Sequence, residues 1–338
     1  MNKKVLLTGI SGYIGNHCAV ELLKSGYSVR GSVRSLSKTE KVIELIKKEV
    51  DPKDNLEFCE LDLLSDEGWD DAMSGCDFVL HVASPFINIE PKDENEYIRP
   101  AVDGTMRALK AAKKAGIKRV VLTSSMVSML EDADKSIDIN FESWTNVNAT
   151  NVSAYAKSKT LAEQAAWDFI GAQTDTTPME LTVVNPGPVF GPTLSGDLSG
   201  ASMGMFEQMM LGKMPRIPQA SINMSDVRDI AKIHVLALEN LKANGKRFIV
   251  TTEKPHAFQE VAKILKSNGY NKVSTKLAPN FLLNFMGNFN REARSMRSFI
   301  GKTYNGDVSS TMETFNWEPI RLEKTVLDTA KSIESYRM

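Results

Sequence analysis

Apolar and polar positions alternate along this chain in short blocks that switch between two periods. Val5-Leu6-Leu7 is a brief apolar run ending on Thr8-Gly9, after which Ile14, Cys18 and Leu22 recur at helical spacing and Gly26 offers a stop. Tyr27 to Val33 alternates as a strand does. Val42, Leu45 and Ile46 then share one helical face, which Ser37-x-x-Glu40 would open as a capping box and Asp51-Pro52 would close. Leu56–Leu61, Asp77–Val82 and Lys118–Thr123 read as a third, fourth and fifth strand, with a helix from about Glu94 to Ala115 halted at Gly116. A helix over about Ala154 to Ile170 and a strand at Leu181–Val184 continue the series. Short apolar strands alternating with helices predict an α/β fold, a doubly wound parallel sheet with right-handed crossovers.

The alternation loosens at Asn185-Pro186-Gly187-Pro188-Val189-Phe190-Gly191-Pro192, and up to about Ser221 the chain is rich in Gly, Ser, Pro and Met. It resumes with a helix near Val227–Leu238 and a strand at Arg247–Val250. The stretch from His256 onward reads as irregular up to a last helix carrying Leu322, Val326 and Ala330. This predicts a Rossmann dinucleotide-binding domain over 1–188, with 225–252 returning to it. A smaller α/β substrate lobe would occupy 189–338, mainly 189–224 and 253–338. No internal repeat or low-complexity tract interrupts this plan.

Composition narrows the partners. With 338 residues, 42% hydrophobic, 25% charged and a net charge of −1, the chain can bury a large core and carries no long basic run. Nucleic acid and anionic membranes are therefore not expected. No apolar stretch reaches the ~20 residues of a membrane span, and the apolar run after Met1-Asn2-Lys3-Lys4 is too brief for a signal peptide. Cys18, Cys59 and Cys76 lack metal-type spacing and leave one unpaired in any disulfide scheme, so no metal and a reduced, cytoplasmic setting are expected. The sequons at Asn148 and Asn151 are then chance.

The candidate chemistry begins at Gly9, Gly12 and Gly15, spaced G-x-x-G-x-x-G between a strand and a helix. Such a turn presents backbone N–H groups and a helix N-terminus to a pyrophosphate. At the end of the second strand, where an NAD site places a carboxylate, stand Val33 and Arg34, followed by Lys38 and Lys41. A guanidinium there suits a 2′-phosphate, and one charge-assisted bond of roughly 1.5–3 kcal/mol would favour NADPH over NADH by about ten- to a hundredfold. Asp62, after the third strand, could accept from an adenine amino group or merely cap a turn. Val82-Ala83-Ser84 are small enough for backbone to lie against a cofactor, and His81 reads as a core histidine.

Tyr155-Ala156-Lys157-Ser158-Lys159 is the sharpest motif. Positions four apart share a helical face, so Tyr155 and Lys159 can act together whereas Lys157 points elsewhere. An ammonium near a phenol would lower its pKa from ~10 and make it a proton donor or acceptor near neutrality. Of Thr123-Ser124-Ser125 at the end of the fifth strand, alternation lets only one serine face Tyr155; Ser125, just past the strand, is the choice.

These residues together resemble the extended short-chain dehydrogenase/reductase family, most nearly its dihydroflavonol reductase, cinnamoyl-CoA reductase and yeast-type carbonyl reductase branch. The strings that carry the likeness are Thr8-Gly9-x-x-Gly12-Tyr13-Ile14-Gly15, Val33-Arg34, His81-Val82-Ala83-Ser84-Pro85, Pro100-Ala101-Val102-Asp103-Gly104-Thr105, Thr123-Ser124-Ser125, Tyr155-x-x-Ser158-Lys159 and Asn185-Pro186-Gly187. The resemblance implies a Ser125–Tyr155–Lys159 catalytic triad, with Lys159 also on the nicotinamide ribose, Arg34 and Lys41 on the 2′-phosphate, and Pro186 and Val189 against the nicotinamide. The cofactor-binding set it predicts is Gly9, Ser11, Gly12, Tyr13, Ile14, Arg34, Lys41, Asp62, Leu63, Val82, Ala83, Ser84, Thr123, Tyr155, Lys159, Pro186 and Val189. Met126 and Val127 are larger than the residues plant flavonoid enzymes carry there, which argues against a flavonoid. Phe86 with Ile87, Met126, Met203 and Phe206 are substrate-lining candidates; the Met203, Met205, Met209, Met210 and Met214 run would be either an adaptable apolar wall or ordinary lobe core.

The resulting expectation is an NADPH-dependent reductase of aldehydes or ketones, monomeric or homodimeric. An NAD-dependent sugar-nucleotide epimerase or dehydratase, and a non-enzymatic NADP sensor, are the alternatives on the same fold.

Overall fold

The computed structural model describes residues 2–85, 91, 93–131, 136–150, 152–281 and 299–337. The first half runs β1 (Lys4–Thr8), α1 (Tyr13–Lys24), β2 (Ser28–Val33), α2 (Thr39–Lys47), β3 (Leu56–Glu60), α3 (Trp69–Met73), β4 (Phe78–His81), α4 (Asn95–Lys114) and β5 (Arg119–Thr123). It continues with β6 (Ile137–Ile139), α5 (Ala154–Gly171) and β7 (Glu180–Pro186). Then come β8 (Val189–Phe190), α6 (Ala201–Met210), β9 (Ser221–Ile222), β10 (Ser225–Asp226), α7 (Val227–Leu236), β11 (Lys246–Val250), β12 (His256–Ala257) and α8 (Phe258–Ser267). The described chain closes with β13 (Thr303–Gly306), α9 (Ser309–Phe315) and α10 (Leu322–Ser335).

Seven strands form one sheet in the order β11-β7-β5-β4-β1-β2-β3, and every pairing in it is parallel. Strands buried on both faces need no alternation, which is why Val5, Leu6 and Leu7 form a continuous apolar run with no exposure. One face packs against α1 and α7, through Cys18, Leu22, Ile230 and Ile233. The other packs against α3, α4 and α5, through Trp69, Ala108, Ala112 and Ala166. The chain leaves β1 for β2 and β3 on one side and returns on the other with β4. That reversal opens a crevice at the carboxyl ends of β1 and β4.

The second layer departs from the expectation. The described residues after 256 are not irregular before the last helix: Phe258, Val261, Ala262 and Leu265 fill one buried face of α8. That face joins Phe206, Tyr304 and Val326 in a separate core. A four-stranded sheet, β12-β9-β13-β6, borders it. Its edge strand β6 comes from between β5 and α5 and pairs Ile137–Ile139 with Tyr304–Gly306. The loop leading to α5 is thereby stitched to the C-terminal segment. A second correction is local. Ser37 opens no capping box; Ser35 accepts from the Ser37 N–H at 3.4 Å and caps a 3-10 turn instead, and α2 starts only at Thr39. Among the described residues no helix is long and apolar enough to cross a membrane.

Candidate active site

The glycine turn is held open by steric necessity. Gly9 has φ +73°, and a Cβ there would lie 3.0 Å from the Ala83 Cα. A Cβ on Gly15 would sit 2.0 Å from the Gly9 carbonyl oxygen, so α1 approaches the turn as only glycine permits. Thr8 locks the neighbouring strand end: its hydroxyl oxygen accepts from the N–H groups of Val82 and Ala83, each at 3.1 Å. Gly12 is the N-cap of α1, exposed, with no side chain capping the helix and no acidic residue in its first turn. A dipole end with unfilled donors beside a bare backbone is a cradle for a phosphate group. Ser11, Tyr13 and Ile14 are half-buried around it. Tyr13 is further engaged, donating to the Gly191 carbonyl at 2.8 Å.

Arg34 and Lys41 are both exposed beyond the end of β2. The end of β2 carries no carboxylate, but its neighbour supplies one. Glu60 of β3 pairs with Val33, and its carboxylate accepts from the Leu36 N–H at 3.2 Å. Asp62 turns its oxygen to the Leu64 N–H at 2.9 Å, the turn-capping role rather than a free acceptor. Leu63 packs under Gly104 of α4.

The reactive cluster lies at the end of β5. Ser125 is 9% exposed and caps a 3-10 turn by accepting from the Val127 N–H at 3.3 Å. Its hydroxyl lies 3.4 Å from the Pro186 carbonyl and also hydrogen-bonds Tyr155. Ser124 turns the opposite way and donates to Glu163 at 2.5 Å. Tyr155 stands in the first turn of α5, below an N-cap in which Ser153 accepts from the Ala156 N–H at 3.2 Å. The Tyr155 ring meets Tyr97 of α4 edge-on, with centroids 6.3 Å apart. Lys159, one turn further, is 8% exposed. It borders a cavity of about 20 Å³ with Leu63, His81, Ala83, Ser84, Thr123 and Glu163, room for about one water.

The electrostatics correct the sequence reading. Burial pushes the Tyr155 phenol up to about 12, opposed by the Ser125 hydrogen bond and reinforced by Tyr97. Burial likewise brings the Lys159 ammonium down to about 8, with Glu163 acting against the drop. The amine therefore does not make the phenol acidic in this state. Burial is the largest cause for both groups. His81 is a core residue, 3.0 Å from the Thr8 hydroxyl and brought down to about 4 by burial.

Other predicted positions take different places. The Thr123 hydroxyl is 2.6 Å from His234 Nε2 of α7, so it is engaged with the core. Pro186 is buried with its carbonyl beside Ser125, while Val189 is half-buried in β8. Met126, Met203 and Phe206 are at most 2% exposed and belong to the lobe core, where Phe206 packs on Phe190 with centroids 5.7 Å apart. They form interior packing rather than an open wall. Phe86 and Ile87 lie outside the described residues. Among the described residues no group of His, Cys, Asp or Glu is arranged to hold a metal.

Tyr97, Glu163 and Arg247 sit around the cluster although their sequence context did not single them out. Only Glu163 carried a legible signal: a carboxylate between Ala162 and Ala166, on the buried stripe of a helix.

Comparison with known proteins agrees with this geometry. The sequence profile of the NAD dependent epimerase/dehydratase family matches residues 5–251. The chain is 33% identical to a cinnamoyl-CoA reductase of Medicago truncatula over 78% of this chain and 79% of that protein. It is 34% identical to the NADPH-dependent methylglyoxal reductase of Saccharomyces cerevisiae over 78% of this chain and 82% of that protein. The crystal structure of the yeast methylglyoxal/isovaleraldehyde reductase complexed with NADPH superposes with a TM-score of 0.80 at 28% identity, covering 99% of both chains.

Proposed function

We propose that this chain, which belongs to the NAD dependent epimerase/dehydratase family, is an NADPH-dependent carbonyl reductase that converts small aldehydes or ketones to alcohols. The observation that carries the reading is the Ser125–Tyr155 hydrogen bond, with Lys159 one helical turn away, at the crevice beside an uncapped glycine turn. The relatives named as cinnamoyl-CoA and methylglyoxal reductases support the same reaction type.

NADPH, when bound, supplies the hydride. The glycine turn and the N-terminus of α1 hold its pyrophosphate, and Arg34 with Lys41 hold the 2′-phosphate. Val82, Ala83 and Ser84 offer backbone close to the cofactor. Ser125 orients the carbonyl oxygen and donates to it as negative charge develops there. Tyr155 gives that oxygen its proton from the phenol hydroxyl. Lys159 holds a cation on the same face and offers donors to the nicotinamide ribose. In this reading 1–188 with 225–252 form the cofactor-binding part, the remainder selects the substrate, and the protein works in the cytosol as a monomer or homodimer. Cys18, Cys59 and Cys76 are all free thiols, as a reducing compartment would keep them.

One observation favours the unphosphorylated cofactor: Glu60 stands beside Val33, near where a carboxylate would bind ribose hydroxyls. Titrating NADPH and NADH against the protein decides between them. The function itself is tested with a panel of aldehydes and ketones, followed by loss of NADPH absorbance. Tyr155→Phe should keep NADPH binding and lower kcat by about 10²–10⁴-fold, the usual worth of a general acid. Full activity in that variant, or no NADPH-dependent turnover of any carbonyl by the parent, overturns the assignment.

A further inference from the structure

We propose that the buried Glu163–Arg247 ion pair is the positioning unit of this site, fixing the Ser124–Ser128 turn against α5 and supplying the charge that Lys159 faces. The inference rests on the reading in which Tyr155 and Lys159 act on substrate and cofactor. Glu163 follows Lys159 by one turn and Tyr155 by two, so the three share a face of α5. Its side chain is fully buried and that of Arg247 is 7% exposed.

One carboxylate oxygen of Glu163 accepts from the hydroxyls of Ser124 at 2.5 Å and Ser128 at 2.7 Å, and from the Asn185 amide at 2.9 Å. The other accepts from Arg247 Nε at 2.5 Å. Arg247 in turn donates to the carbonyls of Phe141 at 3.0 Å and Ser143 at 2.6 Å, and its guanidinium lies 3.8 Å over the Trp144 ring. The pair therefore joins β5, β7 and β11 to α5 and to the loop that leads into it. The turn it holds carries Ser125, whose carbonyl lies 2.8 Å from the Ser128 hydroxyl oxygen. Rotation of that turn would separate Ser125 from Tyr155.

Buried ion pairs seldom stabilise a fold more than apolar residues of the same volume. A role in placement and charge accounts for this one. Among the described residues the titratable groups around Lys159 are His81 from β4, Tyr155 and Glu163 from α5, and, behind Tyr155, Tyr97 from α4. His81 is neutral above about 4. Lys157 is drawn away into an ion pair with Glu94. Glu163 is thus the anion that Lys159 meets, and Arg247 holds it in place.

The test reads Lys159 directly, without turnover. In the unliganded protein labelled with ¹³C at lysine Cε, the Lys159 resonance is the one lost in Lys159→Met, and its titration midpoint is followed. Glu163→Gln should move the midpoint down by about one pH unit or more, and the alkaline limb of kcat/KM should move with it. Glu163→Gln combined with Arg247→Met avoids stranding the guanidinium and should still lower the midpoint, by less, because a repelling cation leaves with the attracting anion. An unchanged midpoint in either folded variant overturns the proposal. If neither variant folds, the pair is a structural requirement and the positioning role is likewise overturned. Failure of the carbonyl-reductase reading looks different: the parent then shows no NADPH-dependent turnover, while the lysine midpoint still responds to Glu163→Gln.

Discussion

Replacing Lys159 by Met should make the unliganded protein more stable and inactive at once. The ammonium is 8% exposed and borders Leu122, Ala162 and the His81 ring, so folding takes it out of water for little return. Its fall from 10.5 to about 8 corresponds to a cost of about 3 kcal/mol, at about 1.4 kcal/mol per pH unit. Methionine fills a similar length without the charge, and losing the attraction of Glu163 offsets part of the gain. A net stabilisation of about 1–3 kcal/mol near neutrality follows. The sign with pH is defined. A folded-state pKa below the unfolded one means the folded chain releases this proton first, near 8, and the unfolded chain only near 10.5. Below about 8 both states hold the proton and the penalty is complete. Between the two values the unfolded chain binds more protons, so parental stability rises with pH and the variant's advantage shrinks. Urea unfolding of both proteins across this range, without cofactor, measures the difference, and titration of other groups cancels in it. An advantage that is absent near neutrality, or constant across the range, refutes the argument.

Two further substitutions address the cofactor cradle. Arg34→Ala should weaken NADPH binding by about ten- to a hundredfold and leave NADH nearly unchanged; equal loss for both cofactors in a fluorescence titration would show that Arg34 does not meet the 2′-phosphate. Gly15→Ala places a Cβ 2.0 Å from the Gly9 oxygen, so the turn must shift at a cost of about 1–3 kcal/mol, and thermal unfolding together with NADPH titration should show both properties impaired. Unchanged stability and affinity there would mean the turn is more yielding than its geometry states.

The seven-stranded sheet was legible because its strands are short apolar runs or alternating stretches punctuated by Gly9, Gly26 and Gly116, each with positive φ. The pairing of Ser125 with Tyr155, and the separation of Ser124 from it, follow from two local periods, helical and extended. The second sheet could not be read in the same way. Its strands are two to four residues long, and β6 meets β13 across a sequence separation near 167 residues, so no local pattern announces the contact. Ser35 and Ser37 illustrate a finer limit. Both are plausible caps, and the 3-10 turn that chooses Ser35 depends on Glu60 receiving the Leu36 N–H from a neighbouring strand. The electrostatics were hidden for another reason. Helical spacing brings Tyr155 and Lys159 to one face, yet the degree of desolvation depends on α4 and β4, which lie far away in sequence.

That desolvation fixes the protonation state in which Tyr155 rests. A phenol held at about 12 keeps its proton throughout the neutral range. Reduction of a carbonyl needs a proton donor at the oxygen, whereas oxidation of an alcohol needs the phenolate. The unliganded site is thus loaded for reduction. A donor with so high a pKa is a weak acid, and in the proposed mechanism Ser125 and Lys159 act on that weakness. The Ser125 hydrogen bond already opposes the rise, and an oxygen that accumulates negative charge during hydride addition becomes basic enough to take the proton. The ammonium of Lys159, protonated below about 8, then faces a growing phenolate in a site too dry to screen the attraction. In the proposed mechanism the attraction between Lys159 and Tyr155 grows as charge develops, which is the condition for lowering the barrier rather than merely binding the substrate.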